Sequence, residues 1–206
     1  YINYVTLRHL KDNLIQPLLD RKINFHVIIG NHDVPYKNTN DINSMAELFD
    51  RHKVKYYSEP EVVTFDSTDI LFVPWINTSN YAKSLDLIKT TNAQICMGHL
   101  EIAGCTLMRG ITSDHGISID TFKNFDIVCS GHFHTKSTSN NVYYLGTQYE
   151  LTWSDYQDPK GFHIFDTNTR EIEMIRNPYR MFHKVFYDDV NNTSDCLLYT
   201  SPSPRD

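Results

Sequence analysis

Three short apolar runs in this chain each end on a glycine, and behind each glycine stands a side chain that binds metals or moves protons. Residues 25–29 (FHVII) lead into Gly30-Asn31-His32-Asp33, residues 95–97 into Gly98-His99, and residues 126–130 into Gly131-His132-Phe133-His134. Apolar runs this short, bounded by turn residues, read as fully buried strands. A glycine after such a strand is expected to let the backbone turn sharply, so that the next side chain points into a cleft.

The remaining pattern fills in around these three strands. Leu7, Leu10, Leu14 and Leu18 recur at helical spacing, which predicts an amphipathic helix over residues 3–20 that Pro17 should kink or end early. Further helices are expected over 45–51 and 79–90, and strands at Lys55–Tyr57, Glu61–Phe65, 70–75, 142–145, Gly161–Phe165 and 171–175. Helices and strands alternate early and strands dominate late. That order predicts a layered α/β sandwich with its site at the strand ends.

Composition narrows the class. Lys and Arg number 19 against 25 Asp and Glu, a net charge of −6, so the chain carries no electrostatic signature of an autonomous nucleic-acid binder. No apolar run approaches the roughly 18 residues of a membrane-spanning helix, and no secretion signal opens the chain; a cytoplasmic protein without a membrane partner is expected. Cys96, Cys105, Cys129 and Cys196 form no CxxC pair and read as reduced thiols, with Cys96 and Cys129 buried and inert.

The histidines carry the chemistry. His132 and His134 stand two apart, so in an extended segment they share a face and can address adjacent metal ions. Imidazole suits manganese, iron or zinc, and an asparagine carbonyl is a neutral oxygen ligand. His26, within a strand, reads as a core residue or one that backs the site, and His115 as a loop residue; Asn77 and Asn191 match glycosylation acceptors without consequence.

GNHD, GH and GHxH in this order resemble the calcineurin-like metallophosphoesterases. The resemblance implies an α/β/β/α sandwich and two divalent metal ions, most simply Mn(II). It assigns Asn31, His99 and His132 to one ion and His134 to its neighbour. His32 would face the scissile phosphate as an acid or transition-state stabiliser, with Asp33 orienting its ring. The flanks VPYKNTNDINSMAELF, YLGTQYELTW, KGFHIFD and NPYRMFHKV are similar to the phage-encoded branch of the SbcD-type DNA-repair nucleases. That likeness covers about residues 1–190. It implies an exonuclease and endonuclease acting on DNA, as a homodimer within a heterotetramer with an SbcC-type ATPase. Lys37, Arg109, Lys136 and Tyr149 are candidate DNA-facing groups. A stand-alone phosphatase or cyclic-nucleotide phosphodiesterase, and an inactive scaffold of the same fold, are the alternatives.

The family's Asp-x-His and Gly-Asp-x-x-Asp motifs precede GNHD, and neither occurs ahead of GNHD in this sequence. The expectation is that they lie upstream of Tyr1, the chain being truncated at the N-terminus and the metal site incomplete without them. The last eleven residues, CLLYTSPSPRD, resemble the translation of a sequencing-library adapter. Residues 1–150 are therefore read as a partial metallophosphoesterase core, 151–195 as its continuation into the start of a capping region, and 196–206 as adapter-derived.

Overall fold

A computed structural model describes residues 2–49, 54–108 and 110–185. Its centre is a six-stranded sheet with four inner strands and two edges. The four inner strands β4 (Thr68–Val73), β5 (Ile95–Gly98), β10 (Ile127–Ser130) and β12 (Val142–Tyr144) run parallel. The edges β3 (Glu61–Phe65) and β11 (Ser137–Ser139) are antiparallel to their neighbours. Because the two sides of a strand alternate, Leu71 and Val73 pack on one face with Cys96 and Val128, while Ile70 and Phe72 pack on the other with Ile95 and Ile127. Both faces are covered, which is why these strands read as continuous apolar runs.

Helix α4 (Tyr81–Thr90) covers the first face through Ile88, joined by Phe122 at the end of a short 3-10 segment (Ile119–Phe122) and by Phe125 just after it. The second face carries a further β layer. It consists of the parallel pair β1 (His26–Ile28) and β2 (Lys55–Tyr57) and the hairpin β13 (Gly161–Phe165) and β14 (Ile172–Arg176). Tyr57, Phe165 and Ile172 close onto this side. The layered α/β sandwich is therefore present. His26 belongs to its packing, hydrogen-bonded to the Tyr57 hydroxyl at 2.7 Å.

The first helix departs from expectation at Pro17. The helix neither stops nor breaks there: α1 (Tyr4–Leu10) passes through a π-helical turn (Lys11–Ile15) into α2 (Gln16–Asp20). A proline inside a helix cannot donate to the carbonyl four residues back, and its ring crowds that carbonyl. The wide turn just upstream, in which the Gln16 N–H reaches Lys11, provides the clearance. Only Ile15 of the whole stretch is buried, and Tyr4 is 89% exposed, so this helix adds little to the core. Helix α3 (Ser44–Leu48) is shorter than the 45–51 expected, and Asp50 to Lys53 lie outside the described residues. Small ladders absent from the sequence expectations, β6 (Ile102–Ala103) with β9 (Ile117–Ser118) and β7 (Thr106–Met108) with β8 (Ile111–Thr112), order the loop after His99. The tail from Cys196 lies outside the described residues.

Candidate active site

Four backbone hydrogen bonds bring the ends of five strands level. The Trp75 N–H donates to the Ile29 carbonyl, His99 to Val73, Gly131 to Gly98 and Leu145 to Ser130. The chain following each strand consequently emerges on the same edge, and the three motifs meet there.

His99 sits at the centre, and its neighbours explain the glycines. A Cβ on Gly30 would stand 2.9 Å from the His99 ring, and one on Gly131 would stand 3.3 Å from it. The imidazole occupies the space that two missing side chains leave. Neither glycine adopts a positive φ, so their role is clearance and not the sharp turn expected of them. The unusual backbone belongs instead to His132, at φ 83°. A histidine in that region costs about 1–3 kcal/mol and persists only where its surroundings enforce it. Phe133, buried and stacked on Tyr144 at 4.5 Å, is the anchor that enforces it. The Tyr144 hydroxyl in turn donates to the Leu100 carbonyl at 2.9 Å and accepts from the Ile102 N–H at 3.1 Å. Ser130 Oγ accepts from the Leu100 N–H and donates to the Gly131 carbonyl. The loops behind GH and GHFH are thereby fastened to each other.

Asn31 Oδ1 lies 2.8 Å from His99 Nε2, and the His99 and His132 rings meet edge to face at 5.1 Å. Trp75 walls both rings, at 6.2 and 5.2 Å. Burial, then the nearby His132 and His32, lowers the His99 pKa to about 4. Burial lowers that of His132 also, against an opposing pull from the Glu101 carboxylate. Both imidazoles are neutral at physiological pH, the form a metal requires. Among the described residues no three His, Cys, Asp or Glu side chains converge to hold an ion unaided. With Asn31 counted, the donors gathered around His99 are neutral nitrogen and amide oxygen, which fit a divalent transition ion. His134 and His132 line a cavity of about 290 Å³ together with Thr152 and Asp155.

His32 is exposed at the mouth of a larger cleft of about 870 Å³. The Asp33 carboxylate accepts from the Gly30 N–H and the Ser44 hydroxyl, both at 2.8 Å, and so closes its own loop. No hydrogen bond joins Asp33 to His32 among the described residues.

Several contributors carry no sequence signal. Asn40, Asn77 and Asn80 are buried: Asn40 and Asn80 donate to the Trp75 carbonyl at 2.9 and 3.1 Å, and Asn77 donates to Asn40. Asn77, set aside as a glycosylation match, helps hold the loop that carries Trp75. Trp75 and Glu101 lack any motif of their own. His115 is a surface residue paired with Asp114. Lys37, Lys136 and Tyr149 are exposed, and Arg109 lies outside the described residues. Cys96 and Cys129 are buried, and burial raises both thiols, Cys129 to about 12, so neither is reactive.

The neutral His99 makes the fold acid-sensitive. Its pKa in the folded chain lies below the ordinary 6.5, so the unfolded chain takes up the proton first as pH falls. Stability is therefore complete above 6.5 and declines from there toward about 4. Denaturant midpoints measured with metal chelated should fall across this window, and His99→Gln should remove part of the fall. A midpoint indifferent to pH there would refute it.

A sheet whose parallel strands end in His and Asn donors, covered by a second β layer, has the architecture of a metal-dependent phosphoesterase. Residues 5–136 match the calcineurin-like phosphoesterase family, and the chain belongs to it. It is also 38% identical over 208 aligned positions to exonuclease subunit 1 of Enterobacteria phage T4, an alignment that takes in 97% of this chain and 61% of that protein. The chain thus spans about three fifths of the length of that relative.

Proposed function

We propose that the chain is the metallophosphoesterase region of a DNA nuclease, the catalytic subunit of an SbcCD-type complex. The observation that carries this reading is the similarity to a phage exonuclease subunit, which runs through nearly the whole chain and past the family match at residue 136. The site is compatible with it. Asn31, His99 and His132 would hold one divalent ion and His134 a second, with Mn(II) suited to this mixture of imidazole and amide oxygen. Such a pair of ions neutralises a phosphodiester and aligns its displacement. His32, exposed beside them, would donate the proton that the leaving oxygen takes up. Trp75 excludes water from one flank of His99 and His132. The net charge of −6 suits a subunit whose hold on DNA is shared with an ATPase partner of the SbcC type in a heterotetramer, working in the host cytoplasm.

The test is substrate choice. The protein expressed from its complete reading frame should degrade linear duplex DNA with Mn(II), lose this on chelation, and bind the ATPase subunit encoded with it. Rapid hydrolysis of phosphomonoesters or cyclic nucleotides with intact DNA would favour the stand-alone phosphatase reading instead.

A further inference from the structure

Behind His134 lies a buried cluster of charge that none of the motifs includes. Lys160 is 4% exposed and Asp155 2%. All three protons of the Lys160 ammonium are used: Nζ donates to the His134 carbonyl at 2.7 Å, to Asp155 Oδ1 at 2.9 Å and to Asp158 Oδ2 at 2.9 Å. Asp155 Oδ2 accepts from the Leu151 N–H at 3.0 Å and the Thr152 N–H at 2.9 Å, and the Thr152 hydroxyl is 3.1 Å away. The same Oδ2 stands 3.8 Å from His134 Nδ1. From the other side, the Thr147 N–H also donates to the His134 carbonyl, at 3.2 Å. Gly146, at φ 73°, passes so close that a Cβ there would lie 3.0 Å from that oxygen.

A buried ion pair is a poor source of net stability, because desolvation offsets the attraction. Saturating a lysine inside a loop therefore calls for another reason. Here the ammonium grips the backbone of His134 while the carboxylate it fixes faces the ring of the same residue. At 3.8 Å the ring contact is too long for a hydrogen bond, yet the negative charge still favours the tautomer with its proton on Nδ1. The lone pair is then left on Nε2, the ring nitrogen away from Asp155. Outer carboxylates act on metal-binding histidines in this way, setting tautomer and ring orientation together.

We infer that Asp155, locked by Lys160, is a positioning residue that presents Nε2 of His134 to a metal ion. This rests on the assignment of His134 as a ligand in the proposed function, and the experiment separates the two. Manganese affinity and stoichiometry would be measured by chelator competition and elemental analysis on the protein from its complete reading frame. The variants are His134→Ala, the double variant Asp155→Asn/Lys160→Met, which removes both charges together, and the three changes combined. His134→Ala should cost one ion. The double variant should weaken that same ion by about 10–100-fold and leave the other at parent affinity. Added to His134→Ala, it should change nothing more. If the double variant does not fold, Asp155→Asn alone is read the same way, since it keeps the shape and an acceptor for Lys160. Loss of one ion in His134→Ala with parent affinity in the Asp155 variants overturns the inference alone. Equal weakening of both ions also overturns it, marking the cluster as structural. Two tightly held ions in His134→Ala overturn the ligand assignment and the inference with it.

Discussion

His99→Ala, made in the protein from its complete reading frame, is expected to abolish phosphodiester hydrolysis and to lower the bound metal by one ion. Three facts make this the largest expected effect. His99 contacts Asn31 directly, meets His132 edge to face, and fills the space between Gly30 and Gly131. Removing an outer partner of a metal site typically costs about 10–100-fold in affinity or activity, and removing the ligand itself should cost more. Alanine also leaves a gap the width of an imidazole between two glycines, so the supporting loops lose their spacer. Elemental analysis paired with turnover on DNA decides the matter. Parent activity, or full metal content, would remove His99 from the site.

His32→Gln should act differently. The side chain is exposed, makes no hydrogen bond among the described residues, and lies near enough to His99 and His132 to lower their pKa values. On the proposed function it would meet the substrate and would not be a metal ligand. Loss of a general acid costs roughly 10²–10⁴-fold in rate. The variant should therefore keep its metal, lose turnover on DNA by that factor, and lose less on a nitrophenyl diester whose leaving group needs no proton. Loss of an ion, or an equal loss on both substrates, would exclude the acid role. Asp33→Asn should not reproduce this selectivity, because Asp33 serves its own loop and not the His32 ring.

The contrast between His32 and Asp33 shows what a linear sequence can carry. Strand-glycine-histidine is a local pattern, so the meeting of three such motifs at one sheet edge could be anticipated from their burial and order. The α/β layering could be anticipated for the same reason. Contacts made across long separations could not. Lys160 lies after a turn, with nothing beside it to say that it reaches back to His134. Asn77 bonds Asn40 from another loop, and alone it reads as a surface residue. At Pro17 the local rule was sound but incomplete, because a widened turn upstream provides a second way to accommodate a proline.

The seating of one imidazole between two glycines has a bearing on how such proteins are recognised and redesigned. A side chain at Gly30 would collide with His99 and one at Gly131 would press tightly on it, so GNHD, GH and GHFH are coupled parts of a single keyed joint. A change in any one of the three motifs therefore alters the space that the other two must fill. For an engineer, moving the site into another scaffold means carrying both empty positions along with the histidine. A side chain at Gly30 calls for a smaller residue at position 99, and one at Gly131 for a slight retreat of the His99 ring.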